Sequence, residues 1–338
     1  MKTLKIVQLV LWLVIIAFLV TVIIMFTFGK VNFPRFMNNE KQIELLQQSE
    51  KVNGITAVSL DLSSTDVVIT PSVSDEINIS YRGPESLKEK PDLTVTVNNG
   101  ELSIVQNEAH QFFFFNWNFT PKILEISLPQ SYADSIDIEN SSGNLSISGV
   151  YNLTSFKSQL TSGDVNLEDI VCPDFSVGCT SGNITLGNIE AKNINISMTS
   201  GNLKASALTG DGNIGTISGD IRIDNLAGND QISMTSGNVT ISSFSGSGSA
   251  SCSSGNIDIT IAGSTGDFSA RTSSGNVDVA LEKGTSYVIE ANCTSGDVTA
   301  NFPMSFADDK NHASGQFGES DQNHLNVRTT SGNIHLSA

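Results

Sequence analysis

Ser141-Ser142-Gly143-Asn144-Leu145 opens a phrase that recurs ten times and closes as Thr330-Ser331-Gly332-Asn333-Ile334. Its glycines are Gly143, Gly163, Gly182, Gly201, Gly219, Gly237, Gly255, Gly275, Gly296 and Gly332. Successive spacings are 20, 19, 19, 18, 18, 18, 20, 21 and 36, the last reading as two periods with a loop inside. A period near 19 is the mark of a stacked repeat, in which no unit can bury its apolar face alone.

Aligned on the glycine, the copies become columns. Two residues on stand Leu145, Val165, Ile184, Leu203, Ile221, Val239, Ile257, Val277, Val298 and Ile334; four on, nearly every copy is again aliphatic. Polar residues such as Ser146, Arg222, Asp258 and Asp278 lie between them, giving the period of a strand with one buried face. Five residues before the glycine a second inner column runs from Ile138 to Val327. The expected fold is therefore all-β: a β-solenoid with coils of about 19 residues and two short strands per coil. Gly suits the left-handed bend at the corner. The Ser before it and the Asn or Asp after it can hydrogen-bond to their copies on coils ~4.8 Å away.

Outward from the repeats, residues 52–128 alternate in the same way without the glycine. Val58, Leu60 and Leu62, then Val67 and Ile69, read as an early coil, and Asn98-Asn99-Gly100 between alternating runs predicts a hairpin. The solenoid is thus expected over 52–338, less regular in 52–128 and regular in 129–338. Residues 6–28 carry no charge, roughly 35 Å of helix, and predict a transmembrane helix rather than a cleaved leader. Residues 1–5 form a tail before it and 29–51 a juxtamembrane linker, with a short helix presenting Ile43, Leu45 and Leu46. Lys2 and Lys5 at one end face Lys30, Arg35 and Lys41 at the other, so the positive-inside count favours neither orientation.

The chain of 338 residues has a net charge of −17, and from Val52 onward 12 basic residues face 32 acidic ones, a net −20. Such a body is repelled by nucleic acid and anionic surfaces, and a basic protein or an envelope partner is the expectation. Membrane lipid is the partner expected of residues 6–28. Cys179, Cys252 and Cys293 occupy one inward column, with Cys252 and Cys293 two coils, about 10 Å, apart; they read as free core thiols. Cys172 falls out of phase with them.

No catalytic, cofactor-binding or metal residue is assigned. Gly210-Asp211-Gly212-Asn213-Ile214-Gly215 matches a dinucleotide fingerprint but lies in a solenoid turn, with no helix to follow. Residues 303–324, with Asp308, Asp309, His312, Glu319, Asp321 and His324, read as a solvated acidic loop. The run of six aromatics in 112–119 reads as a lid over an open edge, with membrane or partner contact as the alternatives. Asp258 and Asp278 fall in one outward column on adjacent coils, about 5 Å apart, a separation suited to a carbohydrate-active enzyme. Thr240 and Thr299 are their expected neighbours.

Taken together, the anchor, the irregular strands, Leu128-Pro129 and the Ser-Gly-Asn/Asp coils resemble bacterial candidate adhesins. These are β-strand-repeat proteins of unknown function that include LiaG-like membrane proteins encoded beside cell-envelope stress systems. The resemblance covers almost everything after residue 52 and implies an extracytoplasmic solenoid on a single-pass anchor in the bacterial cell membrane. It brings no catalytic residues. The function expected is a non-catalytic envelope protein, adhesin-like or active in stress signalling. The alternatives are an enzyme using Asp258 and Asp278, or a membrane-tethered cytoplasmic scaffold.

Overall fold

A computed structural model describes residues 40–107, 120–319 and 321–338, with residues 264 and 265 described by backbone alone. The tail 1–5, the expected span 6–28, the first part of the linker and the aromatic run 112–119 lie outside the described residues. Among those described, no helix is long and apolar enough to cross a membrane. The chain divides into two units. In the first, Met1–Glu40 with Gln111–Thr120, only Glu40 and Thr120 are described, and Thr120 Oγ1 donates to the Glu40 carbonyl at 3.1 Å.

The second unit, Lys41–His110 with Pro121–Ala338, is a parallel β-solenoid. Val165–Ser181, Ile184–Ser200, Leu203–Ser218, Ile221–Ser236 and Val239–Ser254 stack in parallel register, residue against homologous residue. The columns read from the sequence are interior: Ile184, Ile221, Val239, Ile257 and Val277 are all buried. One expectation needs correction. Each coil holds three inward-facing runs rather than two, because a middle run carries Ile170, Ile189, Leu208, Leu226, Phe244 and Ile261 into the core. Coil length varies from 18 to 21 residues, and register shifts beside this run absorb the difference. Columns counted from the glycine therefore drift there.

At the corner all ten repeat glycines have φ between +127° and +146°. The Asn or Asp after each glycine builds a continuous side-chain ladder. Asn183 Oδ1 accepts the Asn202 N–H at 3.1 Å, Asn202 Oδ1 that of Asp220 at 2.9 Å, and Asp220 Oδ1 that of Asn238 at 2.8 Å. These bonds satisfy donors that turn out of the backbone ladder at the bend. The early coil lacks glycine for a visible reason. Thr65 ends the column, and the Gln106 side chain beyond it accepts from the Ser63 and Ser64 N–H groups, both at 3.0 Å.

Both ends of the stack depart from chain order. At one end Glu101–Gln106 and Ile123–Pro129 lie outside the earlier strands Ala57–Ser64 and Asp66–Ser72. They are covered by antiparallel Leu93–Asn98 and Glu76–Pro84, the former through the expected hairpin at Asn99 and Gly100. Gln42–Lys51 then adds a further antiparallel strand along Glu76–Pro84. The short helix and linker expected up to residue 51 are thus a strand from Gln42, because edge pairing supplies the partner that a ten-residue helix would lack.

At the other end His324–Ser331 and Ile334–Ser337 insert between Ile257–Leu281 and the chain-earlier Tyr287–Ala300. The 36-residue gap is therefore more than a loop. His312–Phe317 folds back antiparallel on Tyr287–Ser295, burying Ala313, and Ser305–Phe306 pairs with it. An antiparallel strand that closes a parallel stack protects the edge against pairing with another chain.

The insertion also moves the cysteines. Cys252 and Cys293 are separated by Thr272 and Thr329, three rungs or about 14 Å instead of 10 Å. All four cysteines are buried and free, and burial pushes the Cys172 thiol up to about 11. In folded protein, alkylation should be slow at all four; in denaturant without reductant, four thiols should react. A mass showing Cys252 joined to Cys293 would contradict this coil order.

Candidate functional site

The outward row three residues after each glycine carries the densest chemistry. On consecutive rungs it reads Thr240, Asp258, Asp278, His335, Thr299. Asp258 and Asp278 are register partners, so their carboxylates stand on rungs ~4.8 Å apart. Thr299 is not the neighbour of Asp278, as chain order predicts; the inserted last coil places His335 between them. His335 Nδ1 lies 3.0 Å from Thr299 Oγ1. Burial and the Asp258 charge raise the Asp278 carboxyl, while His335 pulls it back down. A hydroxyl, an imidazole and two carboxylates thus stand in line. Their side chains are exposed on a regular β-face, where solvent screens the pair.

The second feature is a groove of about 780 Å³ between two outward rows near the opposite corner. Asp174, Asn193, Asp211 and Asn229 form one wall, tied by Asn193 Nδ2 to Asp174 Oδ1 at 2.7 Å and Asn229 N to Asp211 Oδ1 at 3.1 Å. Asn195, Asn213 and Gln231 form the other wall. Beneath its floor runs the inward column Phe156, Phe175, Ile194, Gly212, Asp230, Gly248, Phe268. Asp230 breaks every rule of that column. It is 1% exposed, and neither carboxylate oxygen has a hydrogen-bond partner. Burial, then the charge of Asp211, pushes its carboxyl up to about 7; the Gly212 N–H lies near enough to offset a little of this without closing a hydrogen bond of good geometry. The run from Gly210 to Gly215 belongs to the adjacent strand Leu203–Ser218, which is followed by the strand Ile221–Ser236 and not by a helix.

A third polar cluster holds the early end together. Asp92 accepts from Tyr81 Oη at 2.7 Å, Gln106 Nε2 at 3.1 Å and Lys122 Nζ at 2.6 Å. Burial would raise this carboxyl, but the three donors outweigh it and hold it below its ordinary value. The satisfied contacts identify it as a structural tie.

The acidic tract 303–324 is dispersed. His312 Nδ1 lies 2.6 Å from Asn292 Oδ1, the His324 N–H donates to Asp267, and Asp309 accepts from Asn311. Among the described residues no group of three or more His, Cys, Asp or Glu side chains is placed to hold a metal ion.

Solved structures with similar folds include candidate adhesins from Parabacteroides distasonis and Parabacteroides merdae. The first is 11% identical over 88% of this chain and 98% of its own, with a TM-score of 0.44. The second is 11% identical over 89% and 98%, with a TM-score of 0.42. A candidate lipid-binding protein from Parabacteroides distasonis is 14% identical over 88% and 98%, with a TM-score of 0.40. No curated protein matches the chain. The Toastrack DUF4097 family model matches residues 55–233 and 227–337, nearly the whole solenoid, and the chain belongs to that family.

Proposed function

We propose that this chain is a non-catalytic surface protein of the bacterial cell envelope, adhesin-like or sensory, held by residues 6–28 with its solenoid outside the membrane. The observation that carries this reading is the organisation of the solenoid surface. A largely apolar core is sheathed by rows of polar side chains in register on successive coils. Rows of that kind present the same contact repeatedly along one direction, which serves binding to an extended partner. The partner is proposed to be a basic protein, attracted by the acidic body and held less firmly as salt rises, or another envelope component.

Protease applied to intact cells tests the topology. Digestion of the solenoid without lysis is the expected result; full protection would favour the membrane-tethered cytoplasmic scaffold instead. A second reading, a carbohydrate-active enzyme, is favoured by the Asp258, Asp278 and His335 row. It requires the full-length protein to hydrolyse a polysaccharide, with activity lost in Asp278→Asn and in Asp258→Asn. On the non-catalytic reading no hydrolysis is expected from wild type, and such hydrolysis would overturn it.

A further inference from the structure

The chain has five arginines in a strongly acidic sequence, and two of them stand side by side. Arg271 and Arg328 are register partners in the outward row four residues before the glycine, on rungs ~4.8 Å apart. Chain order would have put Asn292 beside Arg271; the inserted last coil brings Arg328 there. Like charges directly opposite one another destabilise a strand pair. Glu290 offsets this one only weakly. Arg271 has no ion-pair or hydrogen-bond partner among the described residues. Arg328 reaches only Glu290, at 4.0 Å and with both side chains about half exposed, a contact of little worth. By contrast Arg222, on another face, stands 3.7 Å from Asp224.

The arginines stand, with Glu290 and Asn292 beside them, over a groove of about 780 Å³. Its far wall is a row of hydroxyls, Ser253, Ser273, Thr330 and Thr294, one per rung. That row continues on the next coil as Thr235, is interrupted by the exposed Ile217, and resumes as Thr199, Thr180 and Thr161 in the same position of earlier coils. Two guanidiniums at this spacing can share one oxyanion or grip neighbouring ones, each through a planar fork of donors. The hydroxyl row beside them offers donors and acceptors at a fixed repeat to a hydroxyl-rich chain.

We propose that Arg271 and Arg328 form the anion-reading end of a glycan-binding groove, and that its ligand is an acidic sugar chain bearing carboxylate, sulfate or phosphoryl groups. The proposal deepens the reading of the solenoid as an extracytoplasmic binding surface and rests on it. The acidic charge elsewhere on the body repels such a chain, so only segments that place an anion on the pair are held. Beyond a Debye length of about 8 Å at physiological salt that repulsion fades, while the direct contact survives.

The test is titration of the full-length protein in detergent with a polyuronate oligosaccharide, its carboxyl-reduced neutral counterpart, a sulfated oligosaccharide of equal length, and inorganic phosphate. At least one acidic oligosaccharide should bind, and the neutral one should be about tenfold weaker or worse. Arg271→Gln and Arg328→Gln should each lose about tenfold or more, and Arg271→Lys should lose much of this, because it keeps the charge but not the fork. Arg222→Gln should bind like wild type. Thermal melts of each variant establish that it is folded. Acidic oligosaccharides that do not bind, or that bind equally to both glutamine variants, would overturn the site. Inorganic phosphate binding as tightly as every oligosaccharide would overturn the glycan assignment. These measurements are independent of topology, so they separate failure of this site from failure of the functional reading, which the protease experiment decides.

Discussion

Gly237→Val should unfold or severely destabilise the central coils, by more than about 3 kcal/mol. Two effects add. Gly237 has φ +130°, a backbone conformation that a β-branched residue resists. A Cβ at this position would also lie 1.9 Å from the Gly219 carbonyl oxygen and 2.7 Å from its carbon. Those are backbone atoms of the preceding coil, so relief requires the rungs themselves to part, and the corner ladder from Asp220 to Asn238 would open with them. Gly54→Ala separates the two effects. It has φ +94° but nothing within 4 Å of its Cβ, so it should cost only about 1 kcal/mol. Chemical denaturation of the three proteins checks this. Equal losses for Gly54→Ala and Gly237→Val would mean that backbone strain alone, and not the contact between coils, demands glycine.

Asp230→Asn should do the opposite above neutral pH. The folded protein holds this carboxyl near 7 against an ordinary value of 3.8. Below pH 3.8 both folded and unfolded chains keep the proton, and the residue contributes no pH dependence. As pH rises from 3.8 to about 7 the unfolded chain releases its proton while the folded chain retains it, so stability falls. Above 7 the whole difference is lost, roughly 4 kcal/mol at about 1.4 kcal/mol per pH unit. The amide of Asn cannot ionise and resembles the protonated acid in size. Wild type and variant should therefore melt at similar temperatures near pH 4, with the variant ahead by a growing margin up to pH 8. A margin that did not change with pH would show that Asp230 is ionised, or solvated, throughout. Asp92 marks the contrast: it is also largely buried, but Tyr81, Gln106 and Lys122 donate to it and reverse the direction of its shift.

The bacterial cell-envelope reading draws on two different parts of the chain. The proposed anchor at 6–28 rests on apolar length alone, whereas the proposed binding surface depends on which rows meet on the solenoid. The two tests are accordingly separate, one on intact cells and one on purified protein.

Much of the fold was legible in the chain itself. A glycine every 18 to 21 residues, with an aliphatic residue two positions on, is enough to read stacked coils, the inner columns around Ile221 and Ile232, and the corner ladder. These features are local and repeat, so ten copies state the same pattern ten times. Three things were decided only by tertiary structure. The middle run through Leu208, Leu226 and Phe244 was hidden because variable coil lengths shift it out of phase with the glycine. The carboxyl of Asp230 is buried because Gly212 leaves room for it, a relation between residues 18 apart on separate coils. The order of the last coils was the third. Backbone hydrogen bonding between rungs is nearly indifferent to which coil lies above which, so a repeat sequence does not record the insertion of His324–Ser337 between earlier strands. That insertion sets His335 beside Asp278 and Arg328 beside Arg271, because rung spacing turns whichever coils are adjacent into side-chain neighbours about 5 Å apart.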